Sequence, residues 1–340
     1  MNIKLTIILL SFAVIAGIVF IVNPFTTDTD KGPPKPWFYQ VHVDDMTGIE
    51  IVYNNEVESF IKTPSNTWAF TGDPQIPTDR VRFGAIDFLL GGPQTKRDLS
   101  ETNVIIENPA QYGLDAPHTT VTIKLTLDRT LQFNLGDKTT DGNHHYGQVI
   151  GFPQLFLISD TWGDVIARLV YEKPLPKWFR PLNPLRIVEV NVFGKSDDPE
   201  NQTNYVSYIK KQGEWEVTDY RIDTKAKKID AEKFGNILPT LSRPENVGIV
   251  THRVWDKDYT EWELTDNSML VEIRFEEISE EGTKFKDSVV FHIGKTTVDG
   301  SSRYARPEND DPYQPVLVLP LDWLSAIMGL YNDVPYMGTK

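Results

Sequence analysis

Val121-Thr122-Ile123-Lys124-Leu125-Thr126-Leu127-Asp128-Arg129-Thr130-Leu131-Gln132-Phe133-Asn134-Leu135-Gly136 is the stretch on which the reading of this chain depends. Apolar residues at 121, 123, 125 and 127, and again at 131, 133 and 135, alternate with polar ones. Period two with one polar face predicts half-buried antiparallel strands, and Asp128-Arg129-Thr130 reads as the turn of a hairpin joining them. The same signature appears at Tyr39, Val41 and Val43, at Val188, Val190 and Val192, and at Val271, Ile273 and Phe275.

Working outward, the landmarks around this hairpin occur twice and in one order. Trp68 answers to Trp215, Phe83-Gly84-Ala85-Ile86 to Phe234-Gly235-Asn236-Ile237, and Phe133-Asn134-Leu135-Gly136 to Phe291-His292-Ile293-Gly294. Gly142 and Tyr146 answer to Gly300 and Tyr304, and Trp162 to Trp323. The separations are 147 residues for the first tryptophans, 151 for Phe83 and Phe234, 158 for Phe133 and Phe291, and 161 for the last tryptophans. A smooth upward drift is what a few loop insertions in the second copy would produce. A period of about 150 residues is domain-sized, unlike the short periods of solenoids.

Each copy also carries two expected helices. Asp79 caps one bearing Val81, Ala85, Ile86, Phe88 and Leu89, ended by Gly91-Gly92, and Asp230 stands at the matching place before Phe234, Ile237 and Leu238, where Pro239 forces an early stop. A carboxylate there satisfies free N–H groups and suits the helix dipole. The second helix of each copy buries Trp162, Val165, Ile166 and Leu169, or Trp323, Ala326, Ile327 and Leu330. The expected fold is therefore α+β: two tandem repeats of a mainly antiparallel sheet with helices on one face. The expected divisions are a membrane anchor and spacer at 1–36, a first repeat at 37–172, a proline-rich linker at 173–184, a second repeat at 185–332 and a tail at 333–340.

The anchor is Leu5 to Val22, 18 residues without a charge. As a helix it reaches about 27 Å, close to the roughly 30 Å of a bilayer's hydrocarbon. The competing reading is a cleaved signal peptide. Val14-Ile15-Ala16 resembles a processing site, but cutting there leaves Gly17 to Val22 exposed at a new terminus. Lys4 precedes the segment and Asp28 and Asp30 follow it, which places the amino terminus in the cytoplasm and the body outside. Residues 23–36, with Gly32-Pro33-Pro34-Lys35-Pro36, form a stiff spacer.

Composition narrows the function classes. A net charge of −14 disfavours nucleic acid, whose phosphates need lysine and arginine. The absence of cysteine removes disulfides, thiolate metal sites and a cysteine nucleophile. Asp137-Lys138-Thr139-Thr140-Asp141-Gly142 echoes a calcium loop, with Asp137 and Asp141 as candidate ligands. The twelfth position is Gln148 instead of glutamate, and the second copy begins with Lys295, so a β-turn using Gly142 and Gly300 is favoured. His144 and His145 point to opposite faces if they lie on a strand, which disfavours a shared metal. His42, His118, His252 and His292 read as surface or boundary residues. The acidic pairs at 44–45, 276–277, 280–281 and 310–311 read as solvated loops, and Asn201-Gln202-Thr203 is a lone sequon. The paired tryptophans read as core, not as the lining of a ligand groove. No serine-hydrolase, zinc-protease, phosphate-loop or dinucleotide motif is present.

These landmarks resemble the domain of unknown function numbered 4340. The pattern is Trp68, then Tyr112-Gly113-Leu114-Asp115-Ala116-Pro117, then Leu135-Gly136, then Thr139-Thr140-Asp141-Gly142 and Tyr146. The second copy departs at Tyr259-Thr260-Glu261-Trp262-Glu263-Leu264-Thr265-Asp266, which looks degenerate, so a ligand contact there would be lost. The resemblance singles out Tyr112, Gly113, Leu114, Asp115, Gly136, Gly142 and Tyr146 as a ligand-binding or structural motif. It implies a bacterial envelope protein with one amino-terminal membrane helix, similar to partners of export systems; it supplies no catalytic residues to carry over, and no cofactor is expected. The expected function is thus a membrane-anchored extracytoplasmic binding or scaffold protein, non-enzymatic, with lipid as a partner through residues 5–22 and a protein partner in the envelope. The alternative is an envelope hydrolase or a carbohydrate- or peptide-binding protein with its site between the domains.

Overall fold

Alternation becomes strand wherever two such runs find each other. The first half forms β1 (Met46–Tyr53), β2 (Glu56–Lys62), β3 (Trp68–Phe70), β4 (Thr119–Leu125), β5 (Thr130–Lys138), β6 (His144–Val149) and β7 (Phe156–Ser159), paired in the order β3-β2-β1-β4-β5-β6-β7. The second half forms β8 (Ile187–Phe193), β9 (Tyr205–Lys211), β10 (Glu214–Asp219), β11 (Lys227–Lys228), β12 (Gly248–Thr251), β13 (Met269–Ile278), β14 (Lys284–Thr296), β15 (Ser302–Glu308) and β16 (Val316–Pro320). Its order is β11-β10-β9-β8-β13-β14-β15-β16-β12. Every pairing is antiparallel. The helices are α1 (Arg80–Phe83), α2 (Ile86–Leu89), α3 (Asp160–Tyr171), α4 (Ala231–Leu241) and α5 (Leu321–Asn332). The protein is therefore α+β, with two mostly antiparallel sheets. This computed structural model describes residues 38–93, 106–195, 204–279, 282–308 and 314–337. The apolar segment 5–22, the spacer, the sequon and the acidic pairs at 280–281 and 310–311 lie outside the described residues. No helix among the described residues is long and apolar enough to cross a membrane.

Stripped of β11 and β12, the second order repeats the first strand for strand, and the registers agree. Trp68 faces Lys62 and Trp215 faces Lys210. Val121 faces Phe133 as Val271 faces Phe291. Both central hairpins shift register at one place, between Leu135 and Lys138 and between Ile293 and Thr296. The landmark rings pack in pairs. Phe133 meets Trp162 and Phe291 meets Trp323, each at 5.5 Å between centroids. Trp68 lies on Phe83 at 5.9 Å and Trp215 on Phe234 at 4.7 Å. Trp68, Trp162 and Trp323 are buried and Trp215 half-buried, so these rings are packing elements.

Several local expectations give way to longer-range contacts. The alternation at 39–43 makes no strand. Phe38 and Val41 instead donate backbone hydrogen bonds to Pro93 and Gly91, seating Phe38 and Tyr39 in the core. Asp79 caps as expected, its Oδ1 accepting from Val81 and Arg82 at 3.0 Å. The helix it starts is nonetheless broken by Gly84 at φ 61°, which leaves Val81 and Phe88 exposed. Helix α4 runs through Pro239 to Leu241. Leu127, expected on the buried face, stands in the hairpin turn at φ 61° and points to solvent. The linker is also no free tether. Trp178 and Leu182 are buried in one apolar cluster with side chains of both halves.

One buried hydroxyl tests the second core. Tyr208 on β9 occupies the register position that Phe60 holds on β2, and its hydroxyl donates to the Leu330 carbonyl at 2.6 Å. Burial raises this phenol's pKa far above its ordinary value, so it remains a donor. Tyr208→Phe keeps the ring and leaves a buried carbonyl unpaired. A loss of about 1–3 kcal/mol is expected, read as a lowered urea midpoint with unchanged slope.

Candidate functional site

The resemblance-derived motif proves to be a plug over the central hairpin. Pro109–Tyr112 form a 3-10 turn capped by the Asn108 side chain, and Gly113 closes it at φ 64°. Leu114 then enters the core. The Tyr112 carbonyl presses so closely on Gly136 that a Cβ there would lie 2.1 Å from its oxygen. The Tyr112 ring rests on Tyr146 at 5.0 Å, while Asp115 points to solvent. The second half builds the same plug from the segment that looked degenerate. Thr260–Trp262 turn, Glu263 takes φ 53°, Leu264 is buried, and the Trp262 carbonyl would meet a Cβ on Gly294 at 2.0 Å. The two segments differ in sequence, yet the same close backbone approach occurs in both halves.

The calcium-like string is a turn, as favoured. The Asp141 carboxylate accepts from Thr139 Oγ1 at 2.5 Å and from the Asn143 backbone at 3.1 Å, which lowers its pKa strongly. Gly142 supplies φ 71°. In the second half Asp299, held by Thr297 and Ser301, and Gly300 at φ 73° repeat the arrangement, with Asp299 lowered to about 2. Asp137 is exposed beside Gly113 and belongs to no shared ligand group with Asp141 among the described residues.

A different cluster assembles beside it, one that spacing did not reveal. His145, on β6 and 2 % exposed, directs Nδ1 at the Gly136 carbonyl (3.2 Å) and at His118 Nε2 (3.0 Å). His118 in turn bonds Thr119 Oγ1 at 2.7 Å. On the other side, His145 Nε2 lies 3.0 Å from Asp160 Oδ1 at the start of α3, and Lys138 Nζ lies 2.6 Å from the same oxygen. Asp164, one turn along α3, completes a set in which His145, Asp160 and Asp164 each offer an atom within 4.8 Å of the others. The Lys138 hydrogen bond holds Asp160 below its ordinary pKa. Burial, then the neighbouring His145, pushes His118 down. His144, half-buried on the opposite side of the strand, takes no part, as alternation predicts. His118 is half-buried, the boundary position expected of it, but it is not isolated, and His292, lowered to about 4 by burial and Arg306, is buried rather than superficial.

A second feature lies between the halves. A groove of about 1080 Å³ is walled by Trp68, Asp79 and Phe88 from the first half, Trp178 from the linker, and His252, Asp287 and Glu308 from the second. Lys177 ties the linker to Asp287 at 2.7 Å, and the Asp79 backbone N–H donates to the Pro174 carbonyl at 2.8 Å. No family model, curated protein or solved structure matches the chain.

Proposed function

We propose that the chain is a membrane-anchored extracytoplasmic binding or scaffold protein. It consists of two tandem copies of one α+β unit, helices on one face of each sheet, carried by a helix at 5–22 in a single pass with the amino terminus in the cytoplasm. In this reading it serves as an accessory subunit of a transporter-like envelope complex and works without catalysis, in keeping with its resemblance to the domain of unknown function numbered 4340. The observation that carries the binding role is the groove between the halves. It draws its walls from both copies and the linker, exposes Phe88 at its lip, and is too open and too varied in chemistry to be a packing defect.

The test places a photo-reactive side chain at Phe88 of the full chain in its native membrane, and another at Val298, an exposed turn residue. The expected result is one adduct with a second envelope protein from position 88 and none from 298. A protein that stays a free monomer on native extraction, with no adduct at 88, overturns the reading.

A further inference from the structure

The Gly136 carbonyl faces the inside of the bulged hairpin and needs a donor. The second half meets the same need simply: at the position of His145 stands Arg303, whose Nε donates to the Gly294 carbonyl at 2.8 Å. Around Arg303 the positions of Asp160, Gly163 and Asp164 are taken by Leu321, Leu324 and Ser325. One guanidinium suffices there, with no carboxylate beside it at those positions. The first half has more than the fold requires. Gly163 leaves space for the imidazole, since a Cβ there would stand 3.0 Å from His145 Cδ2.

A carbonyl can only accept, so the Nδ1 of His145 that faces it carries the proton. In the neutral ring this leaves Nε2 as a lone pair. That nitrogen is buried, forms no hydrogen bond, and is in contact with Asp160 Oδ1 at 3.0 Å without being in line for one. A proton on Nε2 or a bound cation would relieve this contact, and the nearby Asp164 carboxylate supplies the further ligand that a cation needs and a proton does not. Asp160 and Asp164 sit four residues apart on one helix, hence on one face, and Asp164 is open to solvent. Metal-bound histidines characteristically donate their other ring N–H to a carbonyl, as Nδ1 does here. Ligand atoms on a tetrahedral ion with bonds of about 2.0–2.1 Å stand roughly 3.3 Å apart, near the 3.0 Å found between Nε2 and Oδ1.

We propose that His145 Nε2, Asp160 and Asp164 form a site for a zinc-type divalent cation, with solvent in the fourth position. One imidazole with two carboxylates suits zinc better than calcium or magnesium, which prefer all-oxygen sets. Lys138 is the built-in competitor, because its ammonium occupies the Asp160 oxygen the ion would take.

Zn²⁺ alone is titrated calorimetrically into the metal-free full-length protein in detergent, beside Ca²⁺ and Mg²⁺. One Zn²⁺ per chain is expected, with no comparable heat from the other two. Asp164→Asn, an exposed change that leaves the fold intact, should weaken binding at least about tenfold, and His118→Phe, which alters the contact behind the ligand, about 10–100-fold. Lys138→Gln should tighten it, an effect that a purely structural ion pair does not predict. The thermal midpoint of the wild type should rise with Zn²⁺, and that of Asp164→Asn should not. Absence of Zn²⁺ binding, or equal affinity in the wild type and Asp164→Asn, overturns the proposal.

Discussion

Gly136→Ala is expected to destabilise the protein by about 3 kcal/mol or more. The added methyl would sit 2.1 Å from the Tyr112 oxygen and 2.9 Å from the Gly113 carbonyl carbon. Both are backbone atoms, so no rotamer change relieves the clash. The plug would have to lift, withdrawing Leu114 from the core and disturbing the bulge that aims His145. Gly142→Ala is the control. Its Cβ meets nothing within 4 Å, and only the φ of 71° opposes it, which costs about 1 kcal/mol. Urea unfolding followed by tryptophan fluorescence should therefore show a large midpoint shift for the first and a small one for the second. Equal shifts would mean that the Tyr112–Gly136 approach is not a rigid contact.

Trp323→Ala is expected to remove about 3–5 kcal/mol. The ring is 2 % exposed and meets Phe291 edge-on at 5.5 Å and 73°. Its Nε1 has no hydrogen-bond partner, so its contribution is packing, and Trp323→Phe should recover much of the loss. Trp162 differs, because its Nε1 donates to the Leu89 carbonyl at 3.2 Å. Trp162→Phe therefore gives up a hydrogen bond as well as volume. Thermal or urea midpoints of the three variants separate the two cases. A Trp323→Ala protein as stable as the wild type would show that the ring serves a surface instead of the core.

Much of this architecture was legible in the chain because it is encoded locally. Period two at 119–135 and 269–293 marks strands wherever one face is buried. Asp79 and Asp230 mark helix starts because a carboxylate reaches the N–H groups two and three residues on. Gly142 and Gly300 mark turns because their φ is positive. The paired landmarks followed because equal registers preserve equal spacing. Errors arose where distant contacts overrode a local pattern: at residues 39–43, held by Gly91 and Pro93, and at Leu127, whose alternation continued into a turn.

The amino-acid sequence by itself determined the strands, the caps, the turns and the doubled order of landmarks, since each depends on neighbours within a few residues. Only the tertiary structure decided that His118, His145, Asp160 and Asp164 would meet, that Glu263 would stand in for Gly113, and that Trp178 would join the cores and wall a groove. Those outcomes depend on strand register and on how a helix crosses its sheet. Residues dozens of positions apart become neighbours only when those long-range pairings form.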